Sequence, residues 1–358
     1  MSRFFSQKYS NLVPYTPGEQ PKDTQYIKLN TNESPFPPSN KAIDCAVTEA
    51  KRLQLYPDPE CKELTEKIAK MLGVSSDEVL VTNGSDEILN FAFMAFCDKN
   101  TPAAFPDITY GFYKVFAQLN NIPYTTIPLK SDFSIDINDY KNLNNTIIIA
   151  NPNAPTGLTL NIQQIEEIIA SNRDNVVVID EAYVDFGAVS CVPLIKKYDN
   201  LLVCQTFSKS RSMAGARIGF GVGNRDLISD LNTIKYSTNP YNINRMSMAA
   251  ASGVLSDDEY TRKNCKVIAD TRENTTKKLK EIGFVTTDSK ANFIFAKHTY
   301  ISGKTIYEKL KQRGILVRHF STPKINEYVR ITVGTPEQMS ALIFALKKIL
   351  EETNGKNS

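Results

Sequence analysis

Histidine is scarce in this chain of 358 residues: His298 and His319 are the only two, and the six cysteines at 45, 61, 97, 191, 204 and 265 include no Cys-x-x-Cys pair. A zinc site needs closely spaced thiolates and imidazoles, so no metal centre is expected. The cysteines read instead as buried free thiols of a reducing compartment. Long apolar runs are missing as well. Nothing is long enough to span a bilayer, and the first eleven residues lack the apolar stretch of a signal peptide, so the expected location is the cytoplasm. Nor is there an excess of one charge. The 42 basic and 39 acidic residues leave +3, which argues against a nucleic-acid or membrane partner. Repeats and low-complexity segments are absent too.

What is present is an ordinary globular composition, 41% hydrophobic and 23% charged, over a length that suggests two domains. Residues 1–28, with Pro14, Pro17, Gly18 and Pro21, read as an extended N-terminal arm. A large domain is expected over 29–250, with 29–55 contributing to a small C-terminal domain at 251–358. Strands are expected at Val79–Thr82, Ala103–Phe105, Pro123–Ile127, Thr146–Ala150, Val176–Asp180, Leu201–Thr206 and Ile218–Val222, with helical patterns between several of them. Nearly continuous apolar strands alternating with helices imply an α/β fold, a mainly parallel sheet covered on both faces. The C-terminal part reads as α+β, with strands at Phe293–Ala296, Ile315–Arg318 and Val329–Val333. Its last helix carries Met339, Leu342, Ile343, Leu346 and Ile349 on one stripe.

Ligands of such sheets sit beyond the carboxyl ends of the strands, and that is where the polar residues fall. Leu201–Thr206 runs into Ser208, Lys209 and, eight residues past the lysine, Arg217. An amine that is to form a Schiff base must react unprotonated, and burial disfavours the ammonium form. The hydroxyls of Thr206 and Ser208 with Arg217 would hold a phosphate beside it. Asn83-Gly84-Ser85-Asp86-Glu87 joins a strand to a helix start, where free N–H groups suit an anion, although Ser85 or Asp86 would equally serve as an ordinary cap. Asp180 ends an apolar strand, so its carboxylate needs a cationic partner, and Tyr183 follows one helical turn later.

With these motifs in order the chain resembles the fold-type I, pyridoxal-phosphate-dependent aminotransferases, specifically their histidinol-phosphate aminotransferase group. The resemblance runs from Tyr15 to Gly334. It rests on Leu29-Asn-Thr-Asn-Glu-Ser-Pro-Phe36, Tyr56-Pro-Asp58, Asn83 to Glu87, Thr109-Tyr110, Asn151-Pro-Asn-Ala-Pro-Thr-Gly157, Asp180-Glu-Ala-Tyr183, Thr206-Phe-Ser-Lys209, Ala214-Gly-Ala-Arg217 and the segment from Val329 to Thr335. It implies a seven-stranded-type sheet with a smaller domain, pyridoxal 5′-phosphate as cofactor, and histidinol phosphate with glutamate or 2-oxoglutarate as substrates. It also implies a homodimer with shared active sites.

Carried over, Lys209 binds the cofactor covalently, Asp180 pairs with its ring nitrogen, Tyr183 meets its ring hydroxyl and Tyr110 stacks on the ring. The turn at Gly84, backbone groups at Ser85 and Asp86, and Thr206, Ser208 and Arg217 hold the phosphate, with Tyr56 reaching in from the neighbouring subunit. Arg330 and Arg318 hold the substrate anion, and Asn32 and Tyr15 line the same pocket. Three positions depart from the family pattern: Ala154 replaces an asparagine that touches the cofactor hydroxyl, Ser34 stands in the Asn-Glu-Asn-Pro loop, and Pro37 replaces a glycine. Either Asn153 takes over the first role or Tyr183 acts alone. An aromatic amino acid aminotransferase and a threonine-phosphate-type decarboxylase share most of these motifs. A regulator that only binds the cofactor would be expected to carry a DNA-binding helix-turn-helix before Leu29, and the polar arm offers none.

Overall fold

The apolar strands of the sequence assemble into one seven-stranded sheet. A computed structural model describes residues 2–21 and 26–354; the parts of the expected arm and C-terminal domain at 1, 22–25 and 355–358 lie outside the described residues. Strand β1 (Ile27–Lys28) and helices α1 (Asn40–Ala50) and α2 (Lys62–Leu72) precede the sheet. Its strands are β2 (Val79–Thr82), β3 (Ala103–Pro106), β4 (Tyr124–Ile127), β5 (Thr146–Ala150), β6 (Val177–Asp180), β7 (Leu201–Thr206) and β8 (Gly219–Gly223). Their spatial order is β2-β8-β7-β6-β5-β3-β4, and β8 alone runs opposite to the other six.

Period-two alternation sends successive residues of the central strands to two different cores. Ile147, Ile149, Val177, Ile179, Leu201 and Val203 pack on one face, joined by Ile165, Ile168 and Ile169 of α5 (Ile162–Ser171, following α3 and α4 in the chain). Ile148, Ala150, Val178, Leu202 and Cys204 pack on the other, against Ile88 and Leu89 of α3 (Ser85–Phe96) and Tyr113 and Phe116 of α4 (Phe112–Leu119). The parallel register sets Ala150 beside Asp180 and Asp180 beside Cys204, so the chains leaving β5, β6 and β7 emerge at one edge. Antiparallel β8 brings Gly219 between Thr82 and Thr206. A Cβ on Gly219 would lie 2.4 Å from backbone atoms of Gly84 and Ser85, so only glycine lets the β2–α3 turn rest there.

Helices α6 (Arg225–Thr238) and α7 (Arg245–Leu255) lead to the long α8 (Asp258–Glu281). Then come β9 (Phe284–Thr286), β10 (Phe293–His298), α9 (Gly303–Gln312), β11 (Ile315–Leu316), β12 (Arg318–His319), β13 (Val329–Thr332) and α10 (Pro336–Asn354). The small sheet is antiparallel in the order β12-β13-β10-β9, while β11 pairs with β1 in a separate parallel ladder. The expected strand over Ile315–Arg318 is therefore two short strands in two sheets, parted at Val317. The helical stripe of α10 is buried, with Leu29 in the same cluster, whereas Ala42 of α1 packs with the core of the large sheet. Among the described residues no helix is long and apolar enough to cross a membrane, and no group of His, Cys, Asp and Glu could hold a metal ion.

Candidate active site

Asp180 closes β6 with its side chain in the protein interior, 4% exposed. Tyr113, one helical turn after Tyr110, donates to its Oδ2 at 2.7 Å, and the Ala182 N–H donates to Oδ1 at 3.2 Å. Among the described residues it forms no ion pair. Burial pushes its carboxyl up to about 6, against the pull of those two donors. A buried carboxylate held by neutral donors alone is a ready partner for a cation that the polypeptide does not itself provide.

Lys209 follows β7 by three residues. Its Nζ makes one long hydrogen bond, 3.4 Å to the Thr31 carbonyl, and lies 5.9 Å from the centroid of the Tyr183 ring. Two cavities meet at this amine. One, about 210 Å³, is walled by Ser85, Asp86, Tyr110, Asp180, Thr206, Ser208 and Arg217. The other, about 450 Å³, is walled by Tyr15, Asn32, Arg318 and Arg330. Thr31, Tyr110, Ala154 and Tyr183 belong to both.

The far end of the smaller cavity is built for an anion. Gly84, at φ +78°, starts α3 without a side-chain cap, so the first N–H groups of the helix are left to a ligand. A Cβ at Gly84 would lie 2.5 Å from Arg217 Nη2, so the glycine makes room for the guanidinium. Thr206 donates to Ser208 Oγ at 2.9 Å and accepts the Ser208 N–H at 3.1 Å, which turns both hydroxyls to the same spot. Arg217 meanwhile pairs with Asp86 Oδ2 at 2.9 Å, and Tyr110 donates to Asp86 Oδ1 at 2.7 Å. Burial, with a carboxylate beside each, pushes the phenols of Tyr110 and Tyr113 well up, so both stay neutral donors.

Arg330, on β13, donates from Nη2 to the Asn30 carbonyl at 3.1 Å, but its enclosed Nε has no partner. Burial pushes the guanidinium below its ordinary range, and Phe293 and Phe320 lie against it at 5.4 and 5.8 Å. Arg318 is turned toward the arm, donating to the Thr16 and Pro17 carbonyls at 3.3 Å each. It thereby fixes Tyr15, stacked on Phe112 at 4.3 Å, at the cavity mouth.

Two expected residues stand elsewhere. Asn153 is buried away from the cavities: its amide donates to the Ile108 carbonyl and Thr156 Oγ1, and its oxygen accepts from Thr109. Ala154 faces the cavities instead. The Tyr183 hydroxyl accepts from Asn32 Nδ2 at 2.9 Å, so its own proton remains to be given. Tyr56 lines neither cavity of its own chain; it is 77% exposed and stacked on Tyr241 at 4.7 Å.

The model of the aminotransferase class I and II family matches residues 24–346. The chain belongs to that family. Among curated aminotransferases, the histidinol-phosphate aminotransferase of Brachyspira hyodysenteriae is 52% identical, covering 98% of this chain and all of that one. That of Clostridium beijerinckii is 48% identical, covering 98% of each. The solved histidinol-phosphate aminotransferase of Sinorhizobium meliloti, in complex with pyridoxal-5′-phosphate, superposes with a TM-score of 0.88 over 99% of both chains at 21% identity, which shows the shared aminotransferase fold.

Proposed function

We propose that the protein transfers the amino group of histidinol phosphate to 2-oxoglutarate, forming glutamate, as a step of histidine biosynthesis, with pyridoxal 5′-phosphate as its cofactor. The observation that carries the reading is the meeting of two anion-receptive cavities at the Lys209 amine, one ending at Arg217 and the other at Arg330. The near full-length similarity to aminotransferases named for this substrate supports the choice of donor.

The residues present fit the cofactor: a buried carboxylate without a cation, an uncapped helix start beside an arginine, and a lysine with one long hydrogen bond. Lys209 would hold it covalently, Asp180 would face its ring nitrogen, and Tyr183, backed by Asn32, would donate to its ring hydroxyl. Tyr110 would cover the ring, while the backbone N–H groups of Ser85 and Asp86, with the side chains of Thr206, Ser208 and Arg217, would hold its phosphate. When bound, pyridoxal phosphate supplies the electron sink that lets the bond between hydrogen and the amine-bearing carbon break.

The Lys209 amine takes that proton from the donor and, in the second half-reaction, returns one to the α-carbon of the acceptor. Asp180 as carboxylate favours a protonated ring nitrogen. Arg330 receives the phosphate of histidinol phosphate and the carboxylate of glutamate in turn, a double duty that suits a guanidinium better than an ammonium. Arg318 holds the arm across the mouth and joins in the same charge.

We read the working unit as a cytoplasmic homodimer, in which the exposed Tyr56 reaches the partner's cofactor phosphate. We read residues 29–250 as the cofactor-binding domain, with 29–55 contributing to the smaller domain that begins at 251. Incubating the holoprotein with histidinol phosphate and 2-oxoglutarate should form glutamate; no glutamate from a holoprotein that carries its cofactor would refute the reading.

A further inference from the structure

The two halves of the site are carried by different sheets. Lys209, Asp180, Tyr110 and Arg217 stand at the edge of the large sheet, whereas Arg318 and Arg330 stand on β12 and β13 of the small one. Near the substrate cavity the two are joined by the turn between β12 and β13. Residues 321–327 of this turn are exposed, except for Ile325 at 4%. Its side chain packs with Ile108 and Leu129, which follow β3 and β4 of the large sheet, and with Phe295 of β10. Tyr328 lies flat on Phe295 at 4.5 Å, and Phe133 meets both rings edge-on. Beside Ile325, Lys324 Nζ reaches Asp107 Oδ2 at 2.6 Å, while Asp107 Oδ1 accepts the Leu129 N–H at 2.9 Å. Asp107 and Ile108 lead directly into Thr109 and Tyr110, and with Phe320 and Ile325 they wall the cavity that contains Arg330.

We infer that Asp107, Lys324 and Ile325 form a clasp that positions the arginine-bearing strands against the Lys209 side of the site and closes the substrate cavity. The inference rests on Arg330 as the holder of the substrate anion. A single apolar side chain inserted from an otherwise solvated turn, with one part-exposed ion pair beside it, opens at small cost. The clasp therefore governs substrate capture and leaves the cofactor's own contacts alone.

The test compares holoprotein variants on whichever amino donor the wild type turns over, so a wrong donor assignment shows in the wild type and a wrong clasp only in the variants. Asp107→Asn keeps the acceptor for Leu129, and Lys324→Gln leaves Asp107 intact. Each should raise the KM of both donor and oxo acid roughly two- to fivefold, with the double variant no worse than either. Ile325→Ala should raise KM about tenfold or more, and Ile325→Val, the gentler truncation, should lie between. Cofactor affinity and the visible spectrum should not move. Trypsin should cut the Lys324–Ile325 bond faster in Asp107→Asn than in wild type, and saturating 2-oxoglutarate should slow that cut in wild type. Unchanged KM with unchanged cleavage in Asp107→Asn and Ile325→Val would overturn the clasp. So would a fall in cofactor affinity in step with KM, which would mark these residues as supports of the fold alone.

Discussion

Tyr113 donates to Asp180 at 2.7 Å from a position with no exposure to solvent, and it is the only side chain among the described residues seen to hydrogen-bond that carboxylate. A neutral donor favours the ionised carboxyl, so Tyr113→Phe should raise the Asp180 pKa further above its present value of about 6. The acid limb of the half-reaction rate should move to higher pH. A hydrogen bond to a charged group is worth about 1.5–3 kcal/mol, and the shift should reflect a good part of it. An unmoved pH profile would reduce Tyr113 to a packing residue.

The same carboxyl makes stability depend on pH. Its folded pKa is raised from 3.8 to about 6, so its stabilising contribution is complete below about pH 4 and is lost as pH rises through about 6. Two units correspond to about 3 kcal/mol. Cofactor-free Asp180→Asn should therefore be more stable than cofactor-free wild type at pH 8 by up to about 3 kcal/mol, with the gain gone at pH 4. Denaturant unfolding at the two pH values measures it. The loaded variant should lose most of its half-reaction rate.

Gly84→Ala places a methyl group 2.5 Å from Arg217 Nη2 at φ +78°. That φ combined with ψ 166° is a backbone conformation essentially reserved for glycine, and alone costs about 1–3 kcal/mol for a residue with a Cβ. Cofactor affinity should fall about tenfold or more, because both the turn and the guanidinium must move. Equilibrium dialysis with pyridoxal phosphate reads this directly, and wild-type affinity would exclude the turn from the phosphate site.

Arg330 is asked to serve both half-reactions. Arg330→Ala should reduce kcat/KM for histidinol phosphate and for glutamate alike, by about tenfold to a hundredfold, the size of one charge-assisted pair. Arg330→Lys should recover part of each. Damage confined to one substrate would assign the other anion to Arg318, released from the Thr16 and Pro17 carbonyls.

Much of this was legible before any coordinates. Six of the seven large-sheet strands stand out because each is a mostly apolar run buried on both faces; edge strand β4, with Thr125 and Thr126 exposed, is marked only by Tyr124 and Ile127 around them. The reversed direction of β8 does not stand out, since an apolar run reads the same either way. Strand β9 escaped because Phe284-Val285-Thr286 is three residues long beside Gly283, and Ile315–Arg318 looked continuous because the break at Val317 changes sheet without changing composition. In the site, Lys209, Asp180 and Arg217 announced themselves as charges at the ends of apolar strands. Tyr113 did not, because an aromatic on the buried face of a helix looks like core; its only signal was lying one turn after Tyr110. Whether Asn153 faces the cavities depends on side-chain direction, which the chain order does not carry, and neither does it show that Asn32 donates to Tyr183 from 151 residues away.

The central claim is that this site works on histidinol phosphate through Lys209, and single-turnover spectroscopy of the holoprotein with competing donors tests it most directly. Histidinol phosphate should discharge the Lys209-bound cofactor band with a higher kcat/KM than phenylalanine or tyrosine, 2-oxoglutarate should restore the band, and borohydride should trap the label on Lys209 alone. A preference for phenylalanine or tyrosine, carbon dioxide released from phosphothreonine, or a label on any other lysine would contradict it.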